Sequence, residues 1–142
     1  MGFIWPISSL HSILVLFVKK KDGSLLLYVD FYSLNYISKK DHYPLFLISD
    51  LLDLLYKAQV YSKIDLCYAY HLVCITNGNK WKTAFKTYYR SFKWSVMYFG
   101  LTNVLVAFQQ FINNIFSNLL DVCVIIYLDD IHIYSNNMSK HH

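Results

Sequence analysis

The amino-acid sequence predicts an α+β fold. Short β-branched apolar runs, two stretches with helical periodicity, and a chain order that mixes them without strict alternation are the observations behind it. Ile13 to Lys19 reads as a strand, Lys20-Lys21-Asp22-Gly23 as a turn, and Leu25 to Asp30 as the returning partner. A helix is expected from Ile48 to Lys57. Leucines recur there at helical spacing, Ser49 or its neighbour supplies a cap, and Asp50 suits the positive end of the dipole. Val60 to Asp65 is a short strand ending on a carboxylate. Thr83 to Tyr89 and Phe92 to Val96 look like a hairpin around Arg90 and Ser91. The longest helix is expected from about Thr102 to Leu120, with Leu105, Phe108, Ile112, Ile115, Phe116 and Leu119 as its buried stripe. Val122 to Leu128 and Ile131 to Ser135 then form two apolar strands joined at an aspartate pair.

A chain of 142 residues can bury one ordinary core but not two, and no repeat or flexible linker interrupts it, so a single domain over 1–142 is expected. The apolar content of 56% and aromatic content of 18% exclude disorder. The net charge of +4 permits a polyanionic partner without demanding one. Arg90 is the one arginine, and every acidic residue is an aspartate. Cys67, Cys74 and Cys123 have no CxxC spacing, which argues against a disulfide framework or zinc site. The apolar lead-in from Phe3 to Val18 is broken by Pro6, Ser8, Ser9, His11 and Ser12 and lacks a preceding positive charge. It reads as a strand or irregular segment, not as a signal, transit peptide or membrane span.

The aspartate pair is a local conflict. Adjacent carboxylates between apolar strands repel and are costly to desolvate unless they are paired or bound to metal. A water-exposed hairpin tip would tolerate them. Asp65, another carboxylate ending another apolar strand, weighs the other way. If the strands are neighbours, Asp65 and Asp129 converge, and such hard oxygen ligands suit Mg²⁺.

Seven segments in order resemble the reverse transcriptases of long-terminal-repeat retrotransposons of the gypsy-like kind, relatives of retroviral polymerases. Leu16-Phe17-Val18-Lys19-Lys20-Lys21-Asp22-Gly23-Ser24 resembles the first fingers hairpin, and Val29-Asp30-Phe31-Tyr32-Ser33-Leu34-Asn35 the next element. Tyr43-Pro44-Leu45 resembles the approach to the first palm helix, and Lys63-Ile64-Asp65-Leu66 through Ala69-Tyr70-His71 the first catalytic motif. Trp81-Lys82-Thr83-Ala84-Phe85 follows. Phe99-Gly100-Leu101-Thr102-Asn103 through Phe108-Gln109 is similar to the template-contacting segment, and Tyr127-Leu128-Asp129-Asp130 closes the set.

The resemblance implies the fingers and partial palm of a right-hand polymerase, with a mixed or antiparallel sheet and packed helices, and without thumb or RNase H domain. It implies RNA-directed DNA polymerase chemistry on a template-primer and deoxynucleotides, with two Mg²⁺ ions or Mn²⁺ in their place. Asp65 and Asp129 become the principal metal ligands and Asp130 completes the triad. Tyr70 becomes the side chain that clashes with a ribose 2′-hydroxyl, Lys20 or Lys21 reaches the triphosphate, and Phe99-Gly100 lies against the template or nucleotide, where glycine permits close approach. Plainer alternatives stand beside these roles: core packing for Tyr70, a solvated tip for the lysines, a loop end for Gly100. A family element would act in cytoplasmic particles, and a copy in a nuclear or mitochondrial genome would read the same.

Several positions depart from the family. Arginine is expected where Trp5, Leu26, Tyr32, Cys67 and Cys74 stand, glutamine at Leu72, proline at Tyr98 and Leu105, and alanine at Val104 and Val106. Many of these changes need one cytosine-to-thymine change in a codon, which points to a decayed element copy. If buried, Val104 and Val106 overpack their site by ~1–3 kcal/mol each. The competing class is a non-enzymatic nucleic-acid-binding or structural module in which the aspartates only form a turn.

Overall fold

The computed structural model describes residues 2–9, 11–44, 48–56 and 58–141. The elements in order are β1 (Ile4–Pro6), β2 (Val15–Lys19), β3 (Leu25–Val29), α1 (Tyr32–Ile37), α2 (Ile48–Tyr56), β4 (Val60–Asp65), β5 (Phe85–Lys86), β6 (Ser91–Trp94), α3 (Val104–Ile115), β7 (Val124–Tyr127) and β8 (Asp130–Ser135). Short 3₁₀ turns occupy Ala69–Leu72, Asn77–Thr83 and Met138–Lys140. The elements fall into two compact units, Met1–Lys40 with His71–Val104, and Asp41–Tyr70 with Leu105–His142. Their charges differ in sign: the first carries ten Lys or Arg against two Asp, the second three Lys against seven Asp.

In the first unit, β2 and β3 form a two-stranded antiparallel ribbon with Val15 opposite Val29 and Lys19 opposite Leu25. Gly23 closes its turn at φ +85°, a conformation L side chains resist. Only the base of the ribbon is covered: Val29 is buried, with Val15 and Leu27 packed beside it, whereas Leu16, Phe17, Leu25 and Leu26 are exposed. The second sheet has the order β1-β6-β5, all antiparallel. Its inward side chains Phe85 and Trp94 join Val29, Phe31 and Val96 in the core. Tyr98 stacks on Trp94 at 4.2 Å and donates its hydroxyl to the Leu27 carbonyl, tying the ribbon to the core.

The second unit is built on the sheet β4-β8-β7, also antiparallel. Val124, Ile125, Ile126 and Ile131 are buried in it, as are Leu51 of α2 and Phe108 and Ile112 of α3.

Strand β4 has its expected bounds, and α2 runs from Ile48 to Tyr56, with Lys57 outside the described residues. Three expectations are corrected. Helix α3 ends at Ile115 rather than Leu120: beyond it the chain runs on in turns, with the Leu119 and Leu120 amides both donating to the Phe116 carbonyl, through Ser117 and Asn118, residues that favour turns over helix interiors. Its buried stripe is Val104, Phe108, Gln109, Ile112 and Asn113, while Ile115 and Leu119 are exposed. Thr83 is not in a strand: its hydroxyl donates to the Lys80 carbonyl and accepts from the Trp94 amide, which holds it in a 3₁₀ turn.

Candidate active site

Strand β4 delivers Asp65 to the end of the sheet, where it is register-paired with Asp130 at the start of β8. One residue further, the Leu66 amide donates to the Asp129 carbonyl at 2.9 Å. Tyr127 pairs with Asp130, so Leu128 and Asp129 form a two-residue hairpin turn. Leu128 has φ +57° and Asp129 does not share the positive sign, the pattern of a type II′ turn with a leucine where glycine is usual. Asp65, Asp129 and Asp130 thus stand at one end of one sheet.

Lys63 sits two residues before Asp65 on the same face and reaches Asp130 with its ammonium at 2.7 Å. The hydrogen bond to Asp130 raises its pKa, against the effect of burial, and the charges of Asp65 and Asp129 add to the rise. Tyr70 packs edge-on against Phe108 with ring centroids 5.4 Å apart. Burial first, then the negative charges of Asp129 and Asp130, pushes its hydroxyl pKa up. Tyr70 therefore packs against the core within electrostatic reach of the acidic pair.

Gln109, buried in α3, holds the turn from behind. Its side-chain nitrogen donates to the Ile126 carbonyl at 3.1 Å, and its oxygen accepts from the Leu128 amide at 2.9 Å. The same nitrogen donates to Asn113, whose own amide donates to the Tyr43 hydroxyl at 3.0 Å. Sequence reasoning placed Gln109 in a motif without this role. Two amides four residues apart, Gln109 and Asn113, among the apolar residues of one helix face are the available signal.

The remaining candidates lie in the first unit. Lys20 and Lys21 are exposed at the turn of the β2–β3 ribbon. Phe99 is 66% exposed, and Gly100 has φ +105°, so glycine is required there by conformation. Asn35 clamps this segment at both ends, donating to the Gly100 carbonyl at 2.7 Å and accepting from the Thr102 amide at 2.8 Å.

Residues 18–142 match the family model described as reverse transcriptase (RNA-dependent DNA polymerase). The Tf2-3 and Tf2-7 transposon polyproteins of Schizosaccharomyces pombe are each 36% identical over 140 residues, 99% of this chain. The chain belongs to the reverse transcriptase family. Within it, the lineage is that of gypsy-like retrotransposons with long terminal repeats. The chain spans about 10% of the length of these polyproteins. Its fold matches that of a foamy viral protease-reverse transcriptase solved with double-stranded DNA, with a TM-score of 0.87 and 22% identity over 99% of this chain and 24% of that one. The same viral enzyme solved with an RNA/DNA hybrid matches with a TM-score of 0.82 and 22% identity, over 99% of this chain and 19% of the other. The architecture is that of a fragment of a right-hand polymerase.

In this reverse transcriptase chain the departures divide by burial. Trp5, Leu26, Tyr32, Cys67 and Cys74, where arginine is expected, are all exposed. Arginines at these positions would add surface charge and leave the core untouched. Tyr98, in place of a proline, is absorbed into the aromatic core. Val104 is buried, the condition for overpacking, whereas Val106 is half-buried. Among the described residues, no helix is long and apolar enough to cross a membrane.

Proposed function

We propose that the chain is the fingers-and-palm portion of an RNA-directed DNA polymerase that adds deoxynucleotides to a primer 3′-hydroxyl on an RNA or DNA template. The register pairing of Asp65 with Asp130, continued by the Leu66–Asp129 backbone bond, carries this reading. The basic first unit supplies the fingers, with Lys20 or Lys21 toward the triphosphate, and the acidic second unit supplies the palm.

Among the described residues, no group of three carboxylates, histidines or cysteines is close enough to hold a metal. Mg²⁺ needs only one or two carboxylates beside substrate phosphates, and Asp65 with Asp129 would meet that need while Lys63 holds Asp130. Ions bound there, Mg²⁺ or Mn²⁺, would supply activation of the 3′-hydroxyl and stabilisation of the leaving pyrophosphate. Tyr70, fixed on Phe108, would exclude a ribose 2′-hydroxyl. Phe99 and Gly100, steadied by Asn35, would border the template or nucleotide. A thumb and an RNase H portion would complete the enzyme.

This copy is a degenerate one, inactive by itself. The five exposed positions that lack their arginine no longer offer bidentate phosphate contacts, each worth ~1.5–3 kcal/mol. A second reading, a nucleic-acid-binding module without catalysis, is favoured by the Lys63–Asp130 ion pair, which occupies one of the three carboxylates.

Primer extension on an RNA template with Mg²⁺, run beside Asp129→Ala, separates these readings. No extension by the parent chain, with Mn²⁺ binding that Asp65→Ala weakens, is the expected result. Extension by the parent that Asp129→Ala abolishes would overturn the degeneracy and uphold the metal-ion site. Salt-sensitive template binding with no Mn²⁺ response to Asp65→Ala would favour the second reading.

A further inference from the structure

We propose that the outer face of the β1–β6–β5 sheet and the turn that follows β5 form a platform for single-stranded nucleic acid. The register sorts the side chains. Phe85 and Phe92 pair on the inner face with Trp94, so Trp5 opposite Lys93, and Lys86 opposite Ser91, lie on the outer one. Trp5 is 55% exposed, yet its indole N–H donates to the Gly2 carbonyl, which fixes the ring on the surface. Beyond Lys86 the chain turns through Tyr88 and Tyr89, which are 93% and 88% exposed. Their rings meet edge to face at 5.0 Å and do not collapse onto the core.

The turn is rigid. Its Thr87 amide and hydroxyl both donate to the Arg90 carbonyl, at 2.9 and 2.8 Å. The backbone that carries the two tyrosines is thus ordered before anything binds. Arg90, the one arginine of the chain, flanks them beside a cavity of about 500 Å³ that Lys86 also lines. No acidic residue occurs in 1–21 or 66–120, the segments that build the platform, and Lys86, Arg90 and Lys93 have no carboxylate partner among the described residues. Exposed aromatic faces with unopposed cations select unstacked bases on a phosphate backbone. A duplex hides its base faces and would use only the charges. A single strand of RNA or DNA is therefore the occupant. The proposal rests on the nucleic-acid side of the reading above and needs no metal.

Fluorescence anisotropy of the whole chain with labelled single strands of about ten nucleotides, RNA and DNA in parallel with a blunt duplex, tests it. The double variant Tyr88→Ala/Tyr89→Ala should weaken single-strand binding about 5- to 100-fold and leave duplex binding unchanged. Arg90→Ala should weaken both and flatten the salt dependence. RNA and DNA should respond alike, since stacking reads neither sugar. Tyr56→Ala, at an exposed tyrosine of α2 outside the platform, should bind as the parent does, and binding is read without metal, so a failed polymerase and a failed platform read differently. Far-UV circular dichroism confirms that the exposed tyrosines are dispensable for folding. Parent-like single-strand affinity in the double variant, equal losses for strand and duplex, or no single-strand binding by the parent would each overturn the proposal. So would light scattering that showed the face consumed in self-association.

Discussion

The Leu128 amide at the tip of the β7–β8 hairpin donates to the buried side-chain oxygen of Gln109, 2.9 Å away. A leucine at φ +57° is held against its own preference, which costs about 1–2 kcal/mol, and Gln109 provides the compensation from α3. Replacing Gln109 by methionine strands the Leu128 amide and the Ile126 carbonyl, at ~1–3 kcal/mol each. Urea denaturation should show that loss. Amide exchange at Leu128 should accelerate while amides of the β2–β3 ribbon keep their protection.

Lys63 competes with any cation for Asp130. It is 54% exposed, and the neighbouring carboxylates keep it charged across the physiological range. Lys63→Met should therefore tighten Mn²⁺ binding several-fold, measured by the paramagnetic broadening of nearby resonances. Unchanged or weaker binding would mean that Lys63 supports the carboxylates rather than opposing a metal.

His71 is stacked within 8° of parallel on Trp94, and burial lowers its pKa from the ordinary 6.5. The unfolded chain then takes up a proton before the folded one does. Stability is full above about pH 6.5 and falls as the pH drops below that value. Thermal unfolding between pH 7 and pH 5 should show the slope, and His71→Phe should flatten it.

Gly100→Ala should cost ~1–3 kcal/mol through its backbone at φ +105°, because the added methyl meets Phe31 only at an ordinary 3.6 Å. Gly78→Ala, where the new methyl meets open space, should be neutral or stabilise by ~0.4–1 kcal/mol. Chemical denaturation of the two variants side by side checks the contrast.

Elements whose signal is local were legible in the sequence. Strand β4 and the Lys-Lys-Asp-Gly turn carry their own apolar pattern and turn residues. The six residues of α1 escaped because Tyr32–Ile37 has no periodicity. Its start is held by the Asp30 carboxylate accepting from the Tyr32 amide. The strand β1 was legible only as an extended lead-in, since its partner β6 lies nearly ninety residues away. At the site, the three aspartates could be named from their motifs. Their pairing could not: Asp65 is in register with Asp130, not Asp129, and that depends on which strands neighbour each other. The Gln109 and Asn35 clamps were hidden for the same reason, being contacts made across the fold by residues usually read as solvated.

The β2–β3 ribbon has a further bearing, on colloidal behaviour. Two strands alone leave two open edges, and beyond its base both faces are apolar. Lys19, Lys20 and Lys21 crowd its tip, so mutual repulsion keeps one ribbon from adding to another. Salt screens that repulsion. Dispersions of this chain should accordingly cloud as ionic strength rises, and a low-salt buffer is where its monomer persists.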